Sequence, residues 1–414
     1  MSGERQPLKQ TNNYYNEEIY YEDEEPELSP TMKYLLWAVG IFTSIFCIFL
    51  FTVYIPSVFI PEARPLEGIL KVSEVEHHLT TISAERVREL GLHKFQSIVN
   101  DEDDDSTESM EEEDIEDQLD IDLTHTFKSK GVERFILVGD VHGEYNRLMS
   151  LMKKVQFNPK KDLVLLLGDF ISKGPDSVKV IEWASSNGVE CILGNHEYYA
   201  LGNYAKFHGL YSPFFVNPND NDTTIVGEKY LNVKGFNDDP EFLMAKKFQP
   251  EHIAYINSCP VIRRLGPVPL HKPRNNNGSL NFVEGVAVHA GLRWDLAQAK
   301  EPLEEQNPID CLEMRKLLPP FYNETTDDPH FPNAVGWTGL WKDTQKLLSR
   351  KDRQAVYYGH DARKGLRLKK YTRGLDSRCT VGGYLSAMVI WKEEQLFNGK
   401  LREFYKEQAY QVKC

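Results

Sequence analysis

Five apolar runs in this chain each break into a glycine-flanked Asp, Asn or His. Phe135-Ile136-Leu137-Val138 gives way to Gly139-Asp140-Val141-His142-Gly143, and residues 162–167 give way to Gly168-Asp169-Phe170-Ile171-Ser172-Lys173-Gly174. Residues 189–193 run into Gly194-Asn195-His196-Glu197, residues 286–288 into His289-Ala290-Gly291, and residues 356–358 into Gly359-His360-Asp361. Short apolar runs bounded by glycine read as buried strands. After the first, Leu148, Leu151, Met152 and Val155 fall at helical spacing, and residues 175–187 read as a second helix, with Val178, Ile181 and Trp183 apolar, stopping before Gly188. Strand and helix alternate, which is the pattern of an α/β domain. One Asp-x-His after a strand is equally a capping Asp and a surface His in a βα loop. Five such endings, at what should be one edge of a sheet, are not explained that way.

The rest of the chain differs in character. Residues 1–32 are acidic and Tyr-rich (Tyr14, Tyr15, Tyr20, Tyr21), show no apolar period, and read as a disordered cytoplasmic tail. Residues 34–55 hold no charge. At ~1.5 Å per residue such a run covers ~33 Å, enough for a bilayer core, and Trp37 and Tyr54 stand where interfacial aromatics belong. Residues 33–55 are therefore expected to be a transmembrane signal anchor; a cleaved signal peptide needs a short basic start, where an acidic tail stands. Residues 56–127 read as a stalk with a short helix at 84–92, where Val87, Leu90 and Leu92 are apolar. Within it, residues 101–122 carry fourteen acids and no Lys or Arg. That linker cannot bury a core; it is a solvated spacer or a pseudo-substrate lying over a basic active site. The chain's −14 sits in tail and linker, so residues 123–414 are net basic, at +6, which favours polyanionic partners. Residues 211–283, rich in Asn, Pro and Gly, read as an insertion with some helix, and Phe397-Asn398-Gly399-Lys400 as a hairpin turn. Six scattered cysteines without a CxxC pair argue against a disulfide framework or zinc ribbon and leave one or two disulfides open. Three sequons (Asn221, Asn277, Asn323) all follow the apolar segment, which fits a lumenal domain.

The motifs GDxHG, GDxxxxG and GNH, followed by two His-bearing strand ends, together resemble the calcineurin-like metallophosphoesterases across residues 134–391. The resemblance implies an α/β sandwich of two mixed β-sheets flanked by helices for residues 128–414, preceded here by one transmembrane helix. It implies two divalent ions, zinc foremost, with manganese or cobalt as alternatives. Asp140 and His142 would hold the first ion, Asp169 would bridge, and Asn195, His289 and His360 would complete the second. The chemistry fits these residue types. Two cations repel each other and need an anion between them, which Asp169 supplies, while a neutral Asn avoids over-neutralising the second position. Such a pair, ~3.5–4 Å apart, acidifies a shared water and neutralises a phosphoryl group. His196, beside a ligand, is placed to protonate the leaving oxygen. Lys173, four residues past Asp169, can reach phosphate as a point charge.

Departures from the pattern narrow the class. Ser172-Lys173-Gly174 stand where Ser/Thr protein phosphatases of this group have Asp-Arg-Gly, so the acid that orients the histidine is altered. Tyr198-Tyr199 stand where an arginine follows the third motif. Gly359-His360-Asp361-Ala362 has no second His, leaving the first ion to be completed by water. Lys173, the tail Gly174-Pro175-Asp176-Ser177 and residues 359–366 look like the ApaH-like phosphatases, relatives of symmetrical diadenosine tetraphosphatases. With the N-terminal anchor the chain looks most like the fungal vacuolar zinc-dependent endopolyphosphatases. That likeness implies hydrolysis of phosphoanhydride bonds, above all in inorganic polyphosphate. It also implies a single-pass type II protein of the vacuole or another endomembrane, with its catalytic domain in the lumen and no nucleic-acid partner. Arg363, Lys364, Arg367, Lys369, Lys370 and Arg373 put six cations in eleven residues past His360. They form either a track for a polyanion or a solvated strand pair; Arg363 and Lys364, with Lys173, are assigned to substrate. His271, Lys272 and Arg274 would extend the track. Gly374-Leu375-Asp376 and Gly382-Gly383 read as structural, closing the sheet behind the site. The competing readings are a Ser/Thr protein phosphatase, a dinucleoside polyphosphate hydrolase, and a membrane receptor or tether without turnover. The intact ligand set speaks against the last.

Overall fold

The computed structural model describes residues 28–59, 62–92, 130–217, 220–225, 240–270 and 282–414. Most of the acidic tail, the 101–122 linker, and His271, Lys272, Arg274 and Asn277 lie outside the described residues. The chain divides into two units, Met1–Ile60 and Pro61–Cys414.

In the first unit, helix α1 (Pro30–Phe49) is started by Ser29, whose side chain accepts the Met32 N–H, and by Pro30, which sits where a missing N–H costs nothing. The cap explains why the helix begins before the uncharged run. A π-helical turn (Leu50–Tyr54) and a last α-turn (Ile55–Phe59) continue it. No residue of α1 is buried, and apolar side chains such as Trp37, Phe42 and Ile45 stand exposed. A helix that is apolar all round suits lipid rather than water. It is the one helix among the described residues that is long and apolar enough to cross a membrane.

The second unit is built on β1 (Val72–Glu74), β2 (Thr81–Ile82), β3 (Arg134–Val138), β4 (Asp162–Leu166), β5 (Glu190–Cys191), β6 (Ile262–Pro269), β7 (Phe282–Val288), β8 (Gln354–Tyr358), β9 (Arg367–Lys369), β10 (Thr372–Gly374), β11 (Tyr384–Phe397) and β12 (Lys400–Lys413). One sheet runs β12-β11-β3-β4-β5, with β2 on β11; the other runs β9-β10-β8-β7-β6-β1. Both are mixed. β3, β4 and β5 are mutually parallel, as are β7, β8 and β10, whereas β11 runs against β3 and β6 against β7. Parallel strands present their carboxyl ends at one edge, where open α/β sheets bind ligands. Helices α2 (Tyr145–Lys154), α3 (Ser177–Ser186) and α4 (Asn195–His208) follow β3, β4 and β5 in turn.

Alternation along the strands explains the apolar runs. Phe135, Leu137, Leu163 and Leu165 join Leu265, Val283, Ala287 and Tyr357 of the facing sheet in one core. Ile136, Val138, Val164 and Leu166 turn the other way, against Leu148 and Leu151 of α2 and Val180 and Ile181 of α3. Strands buried on both faces cannot alternate with polar residues.

Three expectations change. Residues 62–92, read as stalk, are part of the domain: β1 pairs with β6, β2 pairs with β11, and Ile69, Val87, Leu90 and Leu92 are buried. These strands are two or three residues long, too short to show a period. The stretch 211–283, read as insertion, contains the sheet strand β6, whose Gly266 and two prolines hid it. Arg373, read as part of a surface track, is fully buried. Its Nε donates to Glu407 Oε1 at 2.6 Å, and the Tyr357 hydroxyl donates to Glu407 Oε2 at 2.7 Å, so the ion pair stitches the two sheets together. Removing one partner of a buried pair strands the other charge, at a cost of about 3–5 kcal/mol. Arg373→Met should lower stability to urea by that amount, and adding Glu407→Gln should recover part of it. An unchanged urea midpoint in the single variant would show that the pair carries no stability.

Two disulfides, Cys191–Cys259 and Cys379–Cys414, fill the place left open for them, with Cys47 and Cys311 free.

Candidate metal centre

Each strand of the parallel sets hands its first loop residues to one point. β3 leads to Asp140 and His142, β4 to Asp169, β5 to Asn195 at the first turn of α4, β7 to His289 and β8 to His360. Asp140, His142, Asp169, Asn195, His289 and His360 are all buried. The turns are tight enough that His142, Asp169 and His360 adopt positive φ, at 48°, 48° and 64°. Non-glycine residues seldom do so, and when they do the surroundings must hold them there. The flanking glycines make room. A Cβ at Gly359 would stand 2.1 Å from Asp140 Oδ1, and one at Gly168 would stand 2.6 Å from His289 Nδ1.

Asp169 is the hub. Its Oδ2 lies 3.8 Å from His142 Nε2 and 3.8 Å from His196 Nε2, while its Oδ1 lies 3.3 Å from His289 Nε2 and accepts the His196 backbone N–H at 3.1 Å. His289 Nε2 is also 3.1 Å from Asn195 Oδ1, and its Nδ1 is fixed by the Leu167 carbonyl at 2.9 Å. Two overlapping groups can hold a metal ion: His142, Asp169 and His196, and Asp169, His289 and His360. Asp140 stands beside the first group, 3.9 Å from His142 Nε2, with both oxygens accepting the His360 backbone N–H at 3.1 Å.

Charge follows from burial and neighbours. Burial holds His142 down at about 3 and His360 well below its ordinary value, so both are neutral nitrogen donors. Burial alone would raise Asp169, but the charges of His289 and His196 keep it well below the usual carboxylate range. Burial would lower His289, yet the Asp169 carboxylate outweighs it and holds the imidazole up at about 9. Burial and the nearby Asp376 push Asp140 well above its ordinary value. Buried imidazoles, carboxylates and an amide form an N/O donor set of the kind that Zn²⁺, Mn²⁺ or Co²⁺ takes, and a proton held between Asp169 and His289 is one that a dication can displace.

The support beneath this cluster is local. Glu197 is fully buried and accepts three backbone N–H bonds, from Asp169 at 2.7 Å, Gly194 at 3.0 Å and Ile171 at 3.1 Å. It locks the second and third motifs together.

The calcineurin-like phosphoesterase pattern matches residues 133–364, a stretch that takes in all five strand ends. The chain belongs to that family. This phosphoesterase is thus a member of a group of metal-dependent phosphohydrolases with an α/β sandwich of mixed sheets. A zinc-dependent endopolyphosphatase of Saccharomyces cerevisiae is 27% identical over 268 residues, which is 62% of this chain and 76% of that protein. A symmetrical bis(5'-nucleosyl)-tetraphosphatase of Erwinia tasmaniensis is 46% identical over 71 residues, 17% of this chain and 26% of that one. Among solved structures, a candidate diadenosine tetraphosphatase is similar with a TM-score of 0.44 at 24% identity, over 66% of this chain and 94% of that chain.

Around the phosphoesterase centre the other assigned residues are placed unequally. Lys173 Nζ reaches to 3.0 Å from His142 Nε2. Arg363 and Lys364 are exposed; the Arg363 guanidinium is held by Asp361 at 2.7 Å and by the Pro329 carbonyl at 3.1 Å. Three residues at the site were not assigned to it from the sequence, where Asp376 is read as structural. Asp376 is hydrogen-bonded to the Asp140 carboxyl; it ends β10 as the other motifs end their strands, and that signal was available. Arg315 donates to the His360 carbonyl at 3.2 Å. Glu241 meets His196 Nδ1 at 2.6 Å. Neither Arg315 nor Glu241 belongs to a strand-end motif, so no pattern marked them.

Proposed function

We propose that this phosphoesterase is a membrane-anchored endopolyphosphatase acting on inorganic polyphosphate. The observation that carries the hydrolase reading is Asp169, one buried carboxylate facing histidines on both sides at 3.3–3.8 Å. In this reading Asp140, His142 and Asp169 hold one zinc ion, and Asp169, Asn195, His289 and His360 hold a second. When bound, such a pair supplies charge neutralisation for the phosphoryl group and a water acidified toward neutral pH. His196 delivers a proton to the leaving oxygen from Nε2. Lys173, Arg315, Arg363 and Lys364 provide positive charge for neighbouring phosphates, which a long polyanion requires beyond a single-phosphate pocket. Polyphosphate is favoured over a dinucleotide by the extent of the likeness: it reaches across 76% of the yeast endopolyphosphatase, against 26% of the tetraphosphatase.

Residues 33–55 serve as the anchor, with residues 1–32 cytoplasmic and the catalytic domain in the lumen of an endomembrane compartment, the vacuole in our reading. Two disulfides support an oxidising environment for that domain, and Asn323, in a sequon, is exposed.

The full chain, purified in detergent and supplied with zinc, should cut long polyphosphate into intermediate lengths before short products accumulate, as resolved on a gel. It should act more slowly on diadenosine tetraphosphate and on a phosphopeptide. Faster cleavage of the dinucleotide would select the tetraphosphatase reading. Turnover of the phosphopeptide alone would select the protein phosphatase.

A further inference from the structure

His196 is set at the edge of the cluster by a carboxylate that lies 45 residues away in sequence. Its Nδ1 is 2.6 Å from Glu241 Oε1, and the same oxygen accepts the Ser172 hydroxyl at 2.6 Å. The two side chains are only 15% and 13% exposed, so the contact is shielded from water and from screening. With a carboxylate on Nδ1, that nitrogen keeps its N–H throughout, so the proton given up and regained is the one on Nε2, the atom turned to Asp169. Glu241 lies on α5 (Pro240–Ala245), which is fixed to the domain by Phe242 and Ala245, both buried; the Phe242 ring packs edge-on to Phe207 of α4 at 5.9 Å. The glutamate is thereby carried on a helix whose buried face is packed against the domain.

We infer that Glu241 is the positioning residue for the proton-donating histidine, and that the segment inserted between α4 and β6 is part of the catalytic machinery through it. This rests on the hydrolase reading of the same site and adds to it a role for a residue outside every metal-binding motif. Ser172, from the β4 loop, donates its hydroxyl to the same Glu241 oxygen that meets His196 Nδ1, so a neutral side chain supports the glutamate at this position. The chain has thereby moved its orienting charge from the β4 loop to the insertion.

Three variants of the full chain in detergent with zinc test this: Glu241→Ala, Glu241→Gln, and Glu241→Ala combined with Ser172→Asp. Loss of an outer partner of this kind costs about 10–100-fold in activity. Glu241→Ala should lower kcat by that factor on phenyl phosphate, a poor leaving group, with KM and bound zinc unchanged. It should lower kcat far less on p-nitrophenyl phosphate, whose leaving group needs no proton. Glu241→Gln, whose amide oxygen still accepts from Nδ1–H, should lose less than Glu241→Ala. Ser172→Asp should restore much of the rate in the Glu241→Ala background, because the new carboxylate falls close to where Oε1 stood. Independently of turnover, ¹⁵N spectra of the histidine rings should show His196 protonated at Nδ1 in the wild type and no longer fixed in that form in Glu241→Ala. Equal losses on both esters, or an unchanged His196 signal, would overturn the inference while leaving the hydrolase reading intact. A wild-type chain that hydrolyses no phosphate ester or anhydride would overturn both.

Discussion

Asp169→Asn is expected to lower kcat on polyphosphate by about 10³-fold or more while the domain stays folded. The exchange keeps shape and removes charge. Asn tolerates the positive φ that residue 169 adopts, and an amide oxygen can still accept the His196 backbone N–H that Oδ1 now receives. The anion between His142 and His196 on one side and His289 on the other is lost. On the proposed two-ion reading, cations held close together would then repel each other without a shared counter-charge, so bound metal should fall from two ions per chain to one or fewer. Metal activation is worth several kcal/mol in the transition state, and each 1.36 kcal/mol is tenfold in rate. Elemental analysis, a kcat measurement and a thermal unfolding curve on one preparation decide the matter. Two bound ions with normal turnover would remove Asp169 from the bridging role.

The second large effect is expected at His196. His196→Ala should slow hydrolysis of a poor leaving group by about 10²–10⁴-fold, the usual contribution of a positioned general acid. The loss should shrink on a leaving group that departs as a stable anion. The ring's Nε2 stands 3.8 Å from Asp169 Oδ2 and its centroid 5.2 Å from that of His142. It is therefore close enough to serve as a metal ligand as well, and zinc content must be measured alongside. A rate loss that is the same for every leaving group, accompanied by lost zinc, would make His196 a ligand and not an acid.

How much of this could be read from the chain follows from how local each signal is. The strands leading to Asp140 and Asp169 announce themselves because they are buried on both faces and punctuated by glycine, and the helices after them carry a recurrent apolar face. The short strands added to the two sheets were harder to read. β1 is three residues long and β2 two, and no period can be seen over so few positions. Their places are fixed by pairing with strands far along the chain, and sequence does not show such pairing. β6 was obscured by Gly266, which follows a register shift against β7, and by Pro267 and Pro269, which pair with β7 in regular register. Arg373 was misread because a charged side chain beside other charged side chains looks solvated; its partner, Glu407, lies on another sheet. Asp376 gave the same strand-end signal as its neighbours. Glu241 gave none, because the contact that gives it meaning is made by folding alone.

The left-handed backbone at His142, Asp169 and His360 limits how this centre can drift. Branched side chains such as Val, Ile or Thr are excluded there by main-chain sterics before any question of ligand chemistry arises. Asp, Asn, His and Gly pass that filter more readily. Asn195 and His289 are not among the residues with positive φ and meet no such backbone filter. A library randomised at all five positions should accordingly yield folded proteins with a narrow residue alphabet at three of them and a broad one at the other two.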